Sequence, residues 1–450
     1  MAYSETRRQV VHIAMVGWAF LLRALEWPQA AALAAAALAF NAFLLPRAGG
    51  RVILRPEDAA HGVAPGILFY PFSVLLLILL FRSRLDIVAT SWAILAVGDG
   101  AATIAGRRAG IRRLPWNRDK TWAGTAAFAV LGGAAAVLLC WWTQPGLSTP
   151  APAWFVFGAP WLAAIAAALV ETIPVRLDDN LSVPFAAAAT LWVASLADAT
   201  TVQIMAGGAA GRLLPALAVN AGFATVAYLE GAVTRPGAIA GALIGVTVYL
   251  GAGWEGWLLL CSAFACAVVT SKTGWRRKAL LGIAEEHEGR RGAGNALANC
   301  LVAAIAALVA LTSPYQDAAW LALVTALTAG AADTVASEIG KVWGRQTVLV
   351  IGFRPVPPGT PGAISLEGTI ANIVAAFGLA GLGAALGLIS SAAVPLVACA
   401  ALAGAFAESV LAATLEKPGI LNNDLLNFLN TAVAVAVGLW VGSDVWDMRL

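Results

Sequence analysis

The stretch VGDGAATIAGRR, Val97–Arg108, places a carboxylate near the end of a long apolar segment and follows it with two arginines. The apolar segment is of membrane-spanning length. Gly98, Gly100 and Gly106 thin the segment and permit close approach of a neighbouring backbone. An acid so near the membrane is costly unless it is used. The stretch therefore predicts a membrane helix that ends in a polar site at Asp99.

The whole chain shares this apolar character. Of its 450 residues, 60% are hydrophobic and 12% are charged, and the mean hydropathy is +0.80. A soluble domain carries about twice this charged fraction. We therefore predict an all-α integral membrane protein with about 15 transmembrane helices. The predicted spans lie near 10–26, 29–46, 64–81, 85–106, 122–143, 153–170, 184–199, 212–229, 235–251, 255–271, 293–312, 317–340, 368–389, 391–415 and 425–442.

Charge and cysteine content exclude several classes of protein. The net charge is +3, and no basic arm interleaved with aromatic residues is present, so we expect no nucleic-acid partner. The five cysteines lie mostly in apolar runs without CxxC spacing, which favours small core residues over disulfides. The three histidines are far apart in the sequence, which disfavours a zinc site.

Basic residues alternate between the two sides of the predicted membrane. Turns 47–57, 107–121 and 272–292 are rich in arginine and lysine, whereas turn 144–152 has none. The positive-inside rule then predicts a cytoplasmic N-terminus, in a membrane of the bacterial inner type. The acids near this side are Asp99, Glu171, Asp178, Asp179, Asp333, Glu338, Glu367 and Asp424. Their common side predicts active sites that face the cytoplasm and take polar substrates from it.

The chain repeats three motifs in the same order. The pattern D-x-x-A-[ST]-x-x-G occurs at Asp99–Gly106 and at Asp333–Gly340. KTWAGT in the first half matches ISLEGT in the second, and ETIPVRLDDNL matches ESVLAATLE followed by LNNDLLN. Three ordered matches predict two related tandem bundles, over residues 1–200 and 201–450.

Polar groups collect at the cytoplasmic end of the first repeat. Carboxylates can hold a magnesium ion, while cations and helix amides hold nucleotide phosphates. This pattern predicts a magnesium–nucleotide site formed by Asp99, Arg107, Arg108, Lys120, Thr121, Asp178, Asp179 and Asn180. Asp99 and Asp179 are the predicted metal ligands, and Asp99 or one acid of the 178/179 pair is the predicted base. The arginines would also fit a positive-inside anchor with no binding role.

A second polar set accompanies the second repeat. Asp333 and Glu338 are predicted as catalytic and metal-binding acids, with Asp424 as a further metal ligand. The predicted nucleotide and phosphate contacts are Arg290, Arg291, Asn295, Asn299, Ser337, Lys341, Glu367, Thr369, Asn422, Asn423 and Asn427. The asparagines that share one helix face would also suit a purely structural role of joining helices. The Pro/Gly-rich loop 356–369 is either a substrate-covering loop or a rigid connector.

These motifs resemble membrane kinases of isoprenoid lipids. GDGAATIAGRRAGIRRLPWNRDKTWAGT and DDNLSVP in the first half look like the phytol/farnesol kinase branch of the polyprenol kinases, whose members often have Glu where Ala123 stands. In the second half, KTGWRRKALLGIAEEHEGRRGAGNALANC, ADTVASEIGK, PVPPGTPGAISLEGT and LLNNDLLNFLNT closely resemble the phytyl-phosphate kinase family. The likeness covers roughly residues 50–200 and 210–442.

The resemblance implies two consecutive transferase reactions. The first half would phosphorylate an isoprenoid alcohol such as phytol, geranylgeraniol or farnesol, and the second half would phosphorylate the monophosphate. The family donor is CTP with Mg²⁺, and the bilayer supplies the lipid; an oligomer is compatible with this scheme. The residues leave two alternatives open: a cytidylyltransferase that forms a CDP-activated lipid, and a transporter built from repeats.

Overall fold

The computed structural model describes residues 5–45, 65–283 and 289–446, which are helical almost throughout. Within these residues the strands are β1 (Thr347–Leu349) and β2 (Ala363–Ser365), which pair antiparallel with Thr347 opposite Ser365. Eleven helices of the described part are long and apolar enough to cross a membrane. The predicted all-α membrane fold is therefore confirmed. The predicted turn 47–57 lies outside the described residues.

The chain forms two compact units, Met1–Ser195 and Leu196–Leu450. The predicted domain ranges, 1–200 and 201–450, set the boundary a few residues later. The helices of unit 1 are α1 (Glu5–Ala14, continued by a 3₁₀ segment Met15–Arg23), α2 (Trp27–Leu44), α3 (Pro65–Leu80), α4 (Leu85–Ala109), α5 (Trp122–Gly146), α6 (Ala153–Glu171) and α7 (Asp179–Ser195). Those of unit 2 are α8 (Ala199–Leu229), α9 (Arg235–Lys272), α10 (Trp275–Leu280), α11 (Ala293–Thr312), α12 (Gln316–Trp343), α13 (Leu366–Ala385), α14 (Ser391–Glu416) and α15 (Asn423–Trp446).

In the described part of the chain the long apolar helices number 11 rather than the predicted 15, because four predicted spans do not form separate long helices. The predicted span 10–26 is divided between α1 and its 3₁₀ continuation. Helices α3 and α7, with 16 and 17 residues, are short for a span. The predicted spans 235–251 and 255–271 are two arms of α9, which bends at Ala252 and Gly253. Gly253 has a φ of +67°, which glycine adopts without the clash that a Cβ would cause.

The two acidic motifs lie on the most buried of the long apolar helices. In both α4 and α12, 78% of the apolar window is buried inside the protein, more than in the other long helices of the described part. Alanine, leucine and valine surround them and form the core of each unit. Asp99 and Asp333 are therefore carried by central helices rather than by helices at the periphery.

The repeated motifs adopt the same local structure in the two units. Thr121 caps the start of α5 by accepting a hydrogen bond from Gly124 N at 3.1 Å. Ser365 caps α13 in the same way, from Gly368 N at 3.1 Å. The backbone bridge between Arg113 and Thr121 in unit 1 has its counterpart in the β1–β2 pairing of unit 2.

A close helix crossing also recurs in both units. A Cβ on Gly124 would lie 3.0 Å from the carbonyl oxygen of Ala102, and one on Gly368 would lie 2.8 Å from that of Ala336. Ala102 and Ala336 each stand three residues after the motif aspartate. Glycine is needed at both crossings because the backbones approach so closely. The two units thus share this local packing feature, and the relationship between the whole bundles stays a prediction.

Candidate active sites in the two units

Three carboxylates converge in unit 1. Asp99 on α4, Glu171 at the end of α6 and Asp179 at the start of α7 offer ligand oxygens that all lie within 4.8 Å of one another. A π-helical segment, Ile94–Asp99, widens α4 at this level and ends on the aspartate. Such segments frequently occur at functional sites. This is the one group of three such side chains with metal-ligand spacing among the described residues.

Lys120 joins two of these acids. Its Nζ donates hydrogen bonds to Glu171 Oε1 at 2.7 Å and to Asp179 Oδ2 at 3.1 Å. Burial alone would lower the pKa of the Lys120 ammonium, but the carboxylates of Asp179 and Glu171 outweigh burial and hold that pKa above its ordinary value. The Lys120 ammonium therefore stays charged, and it pairs with two of the three acids of the cluster.

His12 completes the surroundings of Asp99. Its Nε2 lies 3.5 Å from Asp99 Oδ2 and 3.3 Å from the carbonyl oxygen of Leu95. The imidazole also packs edge-on against Tyr70. The segment that carries His12 thus covers one side of the acidic cluster and puts a titratable nitrogen beside its central carboxylate.

The other predicted residues of unit 1 lie around the cluster in different roles. Asp178 Oδ1 accepts hydrogen bonds from Asn180 N at 2.9 Å and from Asn180 Nδ2 at 2.8 Å, and thereby orders the start of α7. Thr121 is the helix cap described above. Arg107 and Arg108 lie in the last turn of α4 and are exposed. Of the residues predicted for the site in unit 1, the structure brings Asp99, Asp179 and Lys120 into one cluster.

Unit 2 has a different arrangement of charges. Asp333 on α12 has Glu408 on α14 as a neighbouring buried carboxyl group, and Lys341 lies close enough to interact electrostatically with Asp333. Two carboxyl groups and one lysine thus lie together in unit 2.

Glu338, predicted as a metal ligand, is held by two lysines. Its Oε1 accepts from Lys341 Nζ at 2.6 Å, and its Oε2 accepts from Lys278 Nζ. Lys278 is fully buried and also donates to the carbonyl oxygens of Thr270 and Ser271 at the end of α9. Both carboxylate oxygens of Glu338 have ammonium partners, so this residue is placed to hold Lys341 in position. Metal binding by Glu338 stays a prediction.

The predicted phosphate contacts at the start of α11 form a polar patch of their own. Arg291 is buried, and its guanidinium donates to Asn295 Oδ1 at 2.8 Å and to Ser271 Oγ at 3.1 Å. Asn299 Nδ2 donates to the carbonyl oxygen of Asn295 one turn earlier, at 3.0 Å. Arg290, next to this patch, is exposed.

The remaining predicted residues of unit 2 are dispersed. Asn422 caps α15 through Leu425 N at 2.9 Å, and Asp424 lies against Gly294 on α11. Asn427 is buried, and Asn423 is exposed. Ser337 and Thr369 donate to the carbonyl oxygens of Thr334 and Ser365, and Glu367 accepts weakly from Arg345 N at 3.4 Å. The structure does not gather these residues into a single site around Asp333.

Sequence reasoning missed four participants. The sequence places Glu171 among the acids of the predicted cytoplasmic side without a role. It gives Glu408 only as part of a repeated motif and Lys278 only as part of the basic turn 272–292. His12 had no signal beyond its position in an amphipathic N-terminal segment. For Glu171 and Glu408 the repeat was an available signal, because each glutamate opens the third matching motif of its half.

These features define a polytopic membrane protein with two polar sites, each on the central helix of its unit. The sequence model of the integral membrane protein DUF92 family matches residues 218–435. An uncharacterized membrane protein from Synechocystis sp. is 37% identical over 202 residues, which make up 44% of this chain and 78% of that protein. The chain belongs to the DUF92 integral membrane family.

Two further relatives have more informative names. Protein VTE6, chloroplastic, from Arabidopsis thaliana is 33% identical over 210 residues, 45% of this chain and 63% of VTE6. A protein named probable phytol kinase, chloroplastic, from Triticum aestivum is 37% identical over 134 residues, 29% of this chain and 44% of that protein. The chain thus covers less than two thirds of VTE6 and less than half of the wheat protein. No solved structure matches the chain.

Proposed function

We propose that the chain is a membrane transferase that phosphorylates isoprenoid lipids. Unit 1 converts an isoprenoid alcohol (phytol, geranylgeraniol or farnesol) to its monophosphate, and unit 2 converts the monophosphate to the diphosphate. The phosphoryl donor is CTP or another nucleoside triphosphate with Mg²⁺. The observation that carries the proposal is the convergence of Asp99, Glu171 and Asp179 around Lys120 in unit 1. The similarity to a probable phytol kinase supports the substrate class.

The acidic cluster suits a magnesium ion. Magnesium binds oxygen ligands at about 2.1 Å, so ligand oxygens on opposite sides of the ion lie about 4 Å apart. The three carboxylates, within 4.8 Å of one another, need only small movements to reach that spacing. Asp99, Glu171 and Asp179 would hold the ion, which would neutralise charge on the donor phosphates. Lys120, which contacts two of these acids, is placed to bind a phosphate oxygen.

The reaction of unit 1 needs a base because an alcohol is a weak nucleophile. The alcohol oxygen bonds to the γ-phosphorus of the donor, the bond from that phosphorus to the β-bridging oxygen breaks, and the nucleoside diphosphate leaves. The hydroxyl proton passes to a carboxylate of the cluster. Asp99 is the favoured acceptor because His12 Nε2, 3.5 Å away, is positioned to share the proton.

The reaction of unit 2 meets a different obstacle. A phosphate monoester is already an anion at neutral pH, so the transfer needs little base but must overcome repulsion between two anions. Lys341 on α12 and Arg291, which lies two residues before α11, supply cations, and Glu338 fixes the position of the lysine. We place both sites on the cytoplasmic side of a bacterial-type inner membrane, with a cytoplasmic N-terminus, from the distribution of basic residues.

A reconstitution assay tests the proposal. Purified protein in detergent is given CTP, Mg²⁺ and geranylgeraniol, and the lipid and nucleotide products are separated. We expect the monophosphate first, then the diphosphate, with one CDP formed per transfer. Pyrophosphate and a CDP-activated lipid would instead identify a cytidylyltransferase. Nucleotide hydrolysis that does not depend on isoprenol would contradict the kinase and favour a transporter.

A further inference from the structure

Unit 2 contains an apolar cavity of about 110 Å³ between α8, α9, α11 and α12. Its walls are mainly alanine, glycine, leucine and phenylalanine side chains. Gly237 and Gly241 line it from the first arm of α9, and Trp257 and Ala267 line it from the second arm. The ten residues between Trp257 and Ala267 span about 15 Å of helix, so the cavity is long and narrow.

One end of the cavity is polar and cationic. Arg291 and Asn295 line this end, close to Gly237. The backbone of Arg291 is fixed there because its carbonyl oxygen accepts from Thr234 N at 3.1 Å. The Arg291 guanidinium is held in place by its hydrogen bonds to Asn295 Oδ1 and Ser271 Oγ, and an anionic ligand head would add charge-assisted hydrogen bonds to this fixed cation.

Asn299 provides a second, independent sign of a ligand. Its Oδ1 is buried and has no hydrogen-bond partner within the described part of the chain. Asn299 and the facing Gly330 both line the cavity, and a Cβ on Gly330 would lie 3.1 Å from this oxygen. A buried acceptor without a donor is destabilising, so this oxygen is suited to a donor on a bound molecule, such as a phosphate hydroxyl.

The opposite end offers apolar surface only. Asn220 closes it, but its Oδ1 accepts from Trp257 Nε1 at 3.1 Å and its Nδ2 donates to Ala216 O at 2.9 Å. Phe223 packs edge-on against Trp257 and against Phe264, with ring centroids 5.9 and 5.8 Å apart. Because the polar atoms at this end already have partners, the end accepts a hydrocarbon chain rather than a second polar group.

We propose that this cavity binds an isoprenyl monophosphate, with the first isoprene units along Gly241 and Phe264 and the phosphate at Arg291 and Asn299. The choice of an isoprenyl chain rests on the proposed function, whereas an apolar chain with an anionic head follows from the cavity itself. The same α12 that forms one wall through Gly330 also carries Asp333. A phosphate bound at Asn299 would therefore face the helix that carries this aspartate.

A glycine substitution tests the cavity without disturbing the fold. A Cβ on Gly241 meets nothing within 4 Å, so Gly241→Leu extends into the cavity rather than into a neighbour. Gly378 on α13 is equally open and does not line the cavity, so Gly378→Leu is the matched control. Binding of radiolabelled geranylgeranyl monophosphate to purified protein is measured for both variants, without nucleotide, and thermal unfolding is recorded for each.

We expect Gly241→Leu to raise the Kd for geranylgeranyl monophosphate at least tenfold and Gly378→Leu to change it less than twofold. Geranyl monophosphate, which has a shorter chain, should lose less affinity than geranylgeranyl monophosphate in Gly241→Leu. Equal effects of the two variants, no effect of Gly241→Leu, or stronger competition by phosphatidic acid than by farnesyl monophosphate would overturn the proposal. Binding that responds as expected without any phosphoryl transfer would refute the proposed function and leave this inference intact. If the wild-type protein transfers phosphoryl groups and Gly241→Leu leaves kcat/KM unchanged, the cavity inference is refuted and the proposed function stands.

Discussion

The two units share a helix cap and a close helix crossing but differ in how charge is distributed around them. Thr121 and Ser365 cap equivalent helices with equal hydrogen-bond lengths, and Gly124 and Gly368 make equivalent crossings. Around Asp99, however, two more acids and one lysine assemble, whereas Asp333 has one acid as its partner. The crossing positions a central aspartate, and the residues supplied by later helices determine what that aspartate can do.

The difference is consistent with the two successive phosphorylations proposed above. The cluster in unit 1 has an excess of carboxylate, which suits metal binding and proton removal from an alcohol. In unit 2, Lys278 and Lys341 both bind Glu338, so cations are gathered on a buried acid close to the acidic pair. That arrangement suits the binding of an anion. Substitutions at corresponding positions of the two units are therefore expected to have different consequences.

The largest expected effect separates the two aspartates. Asp99→Asn should slow phosphorylation of the alcohol about 10³-fold and leave phosphorylation of the monophosphate within about twofold, because it removes the base and a metal ligand. Asp333→Asn should slow phosphorylation of the monophosphate and leave phosphorylation of the alcohol nearly unchanged. Each step is assayed alone with its own lipid, and the exposed Asp119→Asn is the control. If one substitution abolished both steps in folded protein, the assignment of one site to each unit would be wrong.

Lys278→Met should give the largest loss of stability. The ammonium is fully buried, and its removal leaves one oxygen of Glu338 buried without its partner. Breaking such a pair costs about 3 kcal/mol, which thermal unfolding in detergent would detect. Lys272→Met, six residues earlier and exposed, should have little effect. Unit 1 should retain its activity, since its own cation is Lys120; equal loss of both activities at moderate temperature would contradict that independence.

Lys120→Met should reduce the alcohol reaction about 10- to 100-fold, because hydrogen bonds to charged groups contribute about 1.5–3 kcal/mol. The loss should fall mainly on the KM for nucleotide, since the three acids stay in place. Arg118→Met in the same loop is the exposed control. Because the acids keep the pKa of Lys120 above its ordinary value, the ammonium remains charged at pH 9. Lys120→Arg should therefore leave the alkaline limb of the pH profile unchanged.

The smallest effect tests the equivalence of the two units directly. Thr121→Ala and Ser365→Ala each remove a helix cap and should each cost about 1 kcal/mol. Thermal unfolding of the single variants measures the cost, and Thr225→Ala, an exposed position that bonds only to its own helix, is the control. Clearly unequal costs for the two caps would show that the repeated motifs differ in packing.

Hydropathy and glycine spacing predicted the fold because membrane helices must satisfy their own backbone groups and therefore appear as apolar runs. The kink at Gly253 was predicted as a break between two spans, since a polar turn and a tight kink have similar composition. The partners of the acids were harder to predict. Glu171 and Glu408 come from helices far along the chain, and their approach to Asp99 and Asp333 depends on helix rotation and depth. Periodicity alone does not determine either quantity.

The two lysines that pair with buried acids also set an order on the assembly of each unit during synthesis. Lys278 precedes Glu338 by 60 residues, and Lys120 precedes Glu171 by 51. A chain made from the N-terminus presents each cation well before the helix with its acid has been completed. Burial of an unpaired ammonium is unfavourable, so each lysine stays in water until that later helix inserts. The final docking of α10 therefore waits for α12, and the loop that carries Lys120 closes only after α6 has been inserted.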